Sequence, residues 1–276
     1  MSELALWQRS FQNSLAEEYG WLSLAGLFWF HDGTFTLGAG AENDFVLDPD
    51  PLLPERIGVL TFASGVLSFV PEPGIGAILN GAAVTGSVRL QFEDEPDPSV
   101  LQVGALRLYP IHRGPRFGLR ARNPHTVYRR TFAGIRWFPD DPNARVTARF
   151  EVWPEPKPLA IINVLGDAEP STSLGQLHFL LKGEEFTFLA EPGRNGGLFI
   201  NFADAGNGTV SYPGGRFLYT EAPADGTVVL DFNQAHSPPC SRTPYAVCPR
   251  PPQPNRFSFV LGAGEHYPHL SRELLP

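Results

Sequence analysis

Short apolar runs separated by polar turns dominate the chain. Only its first residues show a helical period: Leu4, Trp7, Phe11 and Leu15 recur at spacings of three and four. Ser2 is placed to cap the start and Gly20 to end it, which predicts a helix over residues 2–18 that lays its stripe on a sheet. From Trp21 the period changes. "WLSLAGLFWF", "HDGTFTLG", "NDFVL", "IGVLTFA", "GVLSFVP", "GAILNGAAV", "SVRLQF", "ALRLYPIHR" and "RFGLRAR" follow at roughly ten-residue spacing. Asn80-Gly81 between apolar alternations is a strong hairpin signal, and Ala63-Ser64-Gly65 marks another turn. These runs predict a β-sandwich over 21–125. "NPHTVYRRTFAGIRWFPDDPNARV" reads as a connector, because Pro139 and Pro142 deny it helix. "VTARFEVW", "LAIINVLG", "LHFLLKG", "EFTFLAE", "GLFINFAD", "RFLYTEA", "GTVVLDFN" and "RFSFVLGAG" then predict a second antiparallel β unit over 126–276, a sandwich or barrel. The fold class is all-β, with one N-terminal helix in residues 1–20.

Composition supports this picture. Gly and Pro number 28 each in 276 residues, as expected of a turn-rich β chain. The formal net charge of −8 lacks the basic footprint of a nucleic-acid binder, so none is expected as a partner. The first twenty residues show no signal-peptide pattern and no apolar run is long enough to span a bilayer. The expectation is a cytoplasmic protein without a membrane partner.

The chemistry concentrates in two places. Six arginines and no acid lie between His112 and Arg130, with Arg113, Arg116 and Arg120 leading. Guanidinium suits bidentate recognition of carboxylate or phosphate, so a small anion is a candidate partner. The second place is "FNQAHSPPCSRTPYAVCPRPPQPNRF", which holds both cysteines in a proline-stiffened stretch. A disulfide, a metal site and a rigid loop with free thiols all remain open for Cys240 and Cys248. His236, Cys240 and Cys248, with His266 or His269, would supply four metal donors. Their spacing matches no standard zinc module, so no metal and no cofactor is expected. Asp231 and Asn233 are expected on one strand face, near Arg216 and Tyr219 of a neighbouring strand and Asn255 at the exit of the loop.

The segments "EEYGWLSLAGLFWFHDGTFTLG", "FAGIRWFP", "NVLG", "GRFLY" and "VVLDFNQAHSPPCSRTPYAVCPRPPQPNRFSFVLGAGE" together resemble the family known as domain of unknown function 1684, over nearly the full chain. The resemblance implies no established activity. It implies that Trp21, Trp29, Trp137, Asn163, Gly215, Pro249 and Glu265 belong to the family pattern, with Arg113, Arg116, Arg120, Arg216, Asp231, Asn233, Cys240, Cys248 and Asn255. The pattern has Tyr where His236 stands. Residues 33–110 also resemble a forkhead-associated sandwich, carried by "FTLGAGAENDFVLDP" and the Asn-Gly turn. The Ser and His that hold phosphothreonine are missing from "LLPERIGVLTF", which implies the architecture without phosphopeptide reading.

The leading functional expectation is a small, anionic ligand bound in a pocket between the two β units, by Arg113, Arg116, Arg120, Arg216, Tyr219, Asp231, Asn233, His236 and Asn255. Two alternatives stand beside it: a hydrolase using Asp231, His236 or Cys240, and a protein-interaction module that does not read phosphothreonine.

Overall fold

The computed structural model describes residues 1–267. The chain is all-β apart from short helical segments, and it divides into two compact units, Asn13–Phe132 and Met1–Gln12 with Ala133–Pro276. No helix among the described residues is long and apolar enough to cross a membrane. His269, one of the donors considered for a metal, lies outside the described residues.

Helix α1 runs Glu3–Leu15, shorter than its periodicity predicts. Ser2 Oγ accepts from the Ala5 N–H at 3.2 Å, so the cap forms as expected. The helix stops early because Ala16 and Gly20 close tight turns onto Asn13 and Glu17. Gly20 packs so close to this end that a Cβ there would lie 2.6 Å from the Ser14 carbonyl oxygen.

In the unit 13–132, strands β1 (Leu24–Trp29), β2 (Gly33–Gly38), β3 (Phe45–Val46), β4 (Gly58–Ala63), β5 (Val66–Pro71), β6 (Ala77–Leu79), β7 (Ala82–Ala83), β8 (Val88–Leu90), β9 (Leu101–Val103), β10 (Leu106–Arg113) and β11 (Arg116–Arg122) form two sheets. Their orders are β1-β11-β10-β9-β6-β7 and β3-β2-β4-β5-β8. Alternate apolar residues such as Leu37, Leu60, Phe69, Leu101, Leu108 and Leu119 enclose one core between them. Two of the hairpin turns are those read from sequence: Ser64-Gly65 and Asn80-Gly81 carry φ of 49° and 82°, and of 47° and 88°. Two successive positive φ values match the right-handed twist of the flanking strands. The connector departs from expectation in a small way. A single helical turn, α2 (Val127–Arg130), forms where Thr126 Oγ1 accepts from the Arg129 N–H.

The other unit is built on one curved six-stranded sheet, not on two stacked sheets. Its strands are β12 (Arg145–Ile162), β13 (Ala168–Leu181), β14 (Glu184–Pro192), β15 (Leu198–Phe202), β16 (Arg216–Tyr219) and β17 (Thr227–Asp231), in the order β16-β15-β14-β13-β12-β17. "VTARFEVW" and "LAIINV" join into the single strand β12, despite Pro154, Pro156 and Pro158. The prolines lie at and beside a register shift between Val152 and Lys157, past the last pairing of β12 with β17 at Arg149. A missing N–H there removes little from the ladder.

"RFSFVLGAG" is not a strand, although it alternates. Phe257, Leu261 and Ala263 instead drop into the core from an irregular segment, which is tied to Ala203 by a parallel bridge at Arg256. Asp231 ends β17, and Asn233 sits in the turn of 3-10 helix Phe232–Gln234, so the two do not share a strand face. One side of the sheet buries Phe179, Phe188, Ile200, Phe202, Leu218 and Leu230. Its other side carries the site described next.

Candidate functional site

Strand pairing sets which side chains meet on the outer side of this sheet. Glu191 is paired with Phe199 and Phe199 with Tyr219, so these three point the same way. Asn201 and Phe217 follow two residues along on the same side. Ser171, on the end of β13, donates its hydroxyl to Glu191. Asn163 organises the turn that leads into that end. Its Oδ1 accepts from the Leu165 and Asp167 N–H groups, and its Nδ2 donates to Glu169 at 3.0 Å.

The proline-rich segment after β17 lies over these residues. Asn201 Nδ2 donates to the Pro249 carbonyl at 3.0 Å, and the Val164 N–H donates to the Cys248 carbonyl at 3.0 Å. Two ties hold it at its ends. Arg242 forms a buried ion pair with Glu265, which also accepts from the Ser237 N–H at 2.9 Å. Asn255 uses its whole amide, giving Nδ2 to the carbonyls of Leu189 and Asn201 and taking the Leu189 N–H at 2.7 Å.

Burial shifts the titrations here. Desolvation raises the Glu191 carboxyl above its usual range, and the Glu169 charge adds to it, against the Ser171 hydroxyl. Burial also raises Tyr219, whose ring lies under the exposed Arg194 guanidinium at 5.1 Å and close to Glu191 and Cys248. Buried polar atoms without a partner among the described residues include Asn201 Oδ1, Ser237 Oγ and Ser241 Oγ. All three belong to the covering segment or to the strand beneath it. Buried polar groups are normally satisfied, so this is where a water or a ligand group would be held.

The structure separates the residues singled out from sequence. Arg113, Arg116 and Arg120 belong to the unit 13–132, and the other six to the second unit. Arg113 pairs with Glu93. The Arg116 guanidinium faces the Trp29 ring at 5.9 Å. Arg120 lines a cleft of about 360 Å³ with Tyr19, Tyr109 and Arg122. Arg216 is enclosed on the core side, where it pairs with Asp204 and donates to the carbonyls of Leu261 and Ala263. Asp231 accepts from Asn233 and faces Arg145 at 3.7 Å, while Asn233 also bridges to the Asp141 backbone.

His236 is packed among Phe11, Trp7, Phe217 and Tyr219, with Nδ1 against the Gln234 carbonyl at 3.1 Å. Burial lowers its pKa to about 4, so the ring is neutral at pH 7. Among the described residues, no hydrogen bond joins Asp231, His236 and Cys240, and no group of three or more His, Cys, Asp or Glu side chains is arranged to hold a metal.

Of the expected residues, only Tyr219, His236 and Asn255 meet at the covered face. Glu191, Ser171, Glu169, Asn201 and Arg194 were missed. Each reads in sequence as an ordinary surface position of a strand or turn. The one available signal was Asn163 within "NVLG". Sequence reading also passed over Asp50, whose enclosed carboxylate accepts from Asn123 at 2.7 Å and faces His125 Nδ1 at 3.0 Å beside a cleft of about 410 Å³. The residues lining that cleft carry no hydroxyl or thiol to act as a nucleophile.

A family model described as "Protein of unknown function (DUF1684)" matches residues 130–266, the second unit and not the full length suggested by resemblance. Among curated proteins nothing matches the chain. The solution structure of an uncharacterized protein from Haloarcula marismortui is similar at 32% identity, over 50% of this chain and 78% of that one, with a TM-score of 0.43. The crystal structure of Rad53 in complex with AMP-PNP is similar at 12% identity, over 76% of this chain and 55% of that one, with a TM-score of 0.23. Neither superposition is close enough to bear on the site.

Proposed function

Over residues 130–266 the chain belongs to the DUF1684 family of proteins of unknown function, and for this unit we propose the binding of a small polar ligand at the covered outer face of its sheet. The ligand carries a cationic or hydrogen-donating end toward Glu191 and Glu169 and an anionic end toward Arg194. The observation that supports this reading is Glu191. The residue is 8% exposed, and its carboxyl has the Ser171 hydroxyl as a hydrogen-bond partner and lies near a second carboxylate. A buried acid beside another acid is costly unless it keeps a proton or meets a cation. Arg194, held over the Tyr219 ring at the rim, supplies the opposite charge for the other end of the same ligand. The anionic character expected from sequence thus rests on Arg194 rather than on Arg216.

The test is thermal denaturation against a panel of small amines, amino acids and carboxylates, on the wild-type chain and on the variants Arg194→Ala and Tyr219→Phe. A compound with both charges is expected to raise the wild-type melting temperature and to do so less in each variant. Equal stabilisation of all three proteins, or none by any compound of these classes, overturns the proposal.

A further inference from the structure

The two thiols are themselves a reactive arrangement. Cys240 sits in the short turn Pro239–Ser241 and is half-buried, whereas Cys248 is 4% exposed. They are free and in contact: the Cys240 N–H donates to Cys248 Sγ at 3.3 Å. The segment holds both in place, through the Tyr212 hydroxyl on the Cys240 carbonyl at 3.2 Å and the Val164 N–H on the Cys248 carbonyl. The environments of the two sulfurs differ in kind. Hydrogen bonding from the Cys248 thiol lowers the pKa of Cys240, against burial, and the nearby Tyr212 hydroxyl adds to the lowering. Cys248 is pushed up, chiefly because its S–H donates a hydrogen bond to Cys240, and then by burial. A reachable, more acidic thiol beside a buried, protonated one is the division of labour between an attacking and a resolving cysteine.

We propose that Cys240 and Cys248 form a reversible dithiol–disulfide site that reduces hydroperoxides. The Cys240 thiolate attacks the terminal peroxide oxygen. The O–O bond breaks, Cys240 becomes a sulfenic acid, and the leaving oxygen takes a proton to depart as water or an alcohol. Cys248 then attacks the Cys240 sulfur, the S–O bond breaks, and the hydroxide leaves with the Cys248 proton as water. Two thiols are oxidised to one disulfide and one peroxide is reduced by two electrons. An external dithiol reductant returns both thiols by exchange. This site is independent of the ligand proposed above, since it requires neither Glu191 nor Arg194.

The chain suits a direct mass measurement, because it has 2 cysteines and 1 methionine. The reduced wild-type protein is exposed to hydrogen peroxide, quenched with an alkylating reagent and weighed intact. The expected product has lost two hydrogens and both alkylation sites together, and a dithiol reductant restores it. Cys248→Ser is expected to stop at a sulfenic acid on Cys240 that dimedone traps, and Cys240→Ser to react at least about tenfold more slowly. In case either variant folds poorly, dimedone present during oxidation of the wild-type chain is expected to label Cys240. Label on Cys248 first, or two thiols that both still alkylate after peroxide, overturns the proposal.

Discussion

Arg216→Met isolates the most enclosed charge in the second unit. The Arg216 and Asp204 side chains are 1% and 0% exposed, and the pair stands at the edge of an apolar core. Methionine fills much of the same volume without charge. Asp204 would keep the Gly206 N–H at 2.6 Å and the Ser211 hydroxyl at 3.2 Å but would lose its cation. The carbonyls of Leu261 and Ala263 would each lose a donor. Removing one member of a buried pair costs about 3–5 kcal/mol, because the remaining charge stays buried. Each abandoned carbonyl adds about 1 kcal/mol if nothing replaces its donor. The sum is about 5–7 kcal/mol, enough to lower the melting temperature by about 10–30 °C in a unit of this size. Equilibrium urea unfolding, followed by the fluorescence of Trp7, Trp137 and Trp153, reads the loss as a lower midpoint. Adding Asp204→Asn to Arg216→Met removes the unpaired charge and is expected to recover at least about 1.5 kcal/mol, so the two changes are not additive. A single variant within about 1 kcal/mol of wild type would refute the reasoning, since it would mean that water reaches Asp204.

Three further outcomes follow from the same contacts. The neutral His236 ring contributes stability that is full above pH 6.5 and is lost as pH falls toward its folded value of about 4, in total about 3 kcal/mol; His236→Tyr is expected to flatten this stretch of the urea-midpoint profile. Glu191 runs the other way. Its raised pKa favours the folded state below the usual 4.5, and the benefit is lost as pH rises through the folded value, so Glu191→Gln is expected to gain on wild type between pH 4.5 and neutrality, read from midpoints at several pH values. Asn255→Ala leaves the Leu189 N–H and the carbonyls of Leu189 and Asn201 without their partner, and a loss of about 2–3 kcal/mol in urea unfolding is expected.

How far the sequence could be read depended on the range of the interactions involved. Ser64-Gly65 and Asn80-Gly81 were legible as turns, because positive φ at two successive residues is a local demand that few residue types meet. The helical stripe of Leu4, Trp7, Phe11 and Leu15 was legible for the same reason, and Trp7 and Phe11 do meet Trp137. Arg216 was expected to face a ligand, near Asp231 and Asn233. It finds Asp204, twelve residues away, rather than Asp231, and no local pattern separates the two acids.

By itself, the sequence determined an all-β chain with one N-terminal helix and most of its strands. Alternation, turn chemistry and proline act over a few residues, so they survive in one dimension. Only the tertiary structure decided that "RFSFVLGAG" is a core-filling coil, that β12 runs through its prolines, and that Glu191, Ser171, Tyr219 and Arg194 face one another under the Cys240–Cys248 segment. Those outcomes depend on which strand pairs with which and in what register. Burial, the shifted titrations and the meeting of two thiols arise only once distant strands have fixed that register.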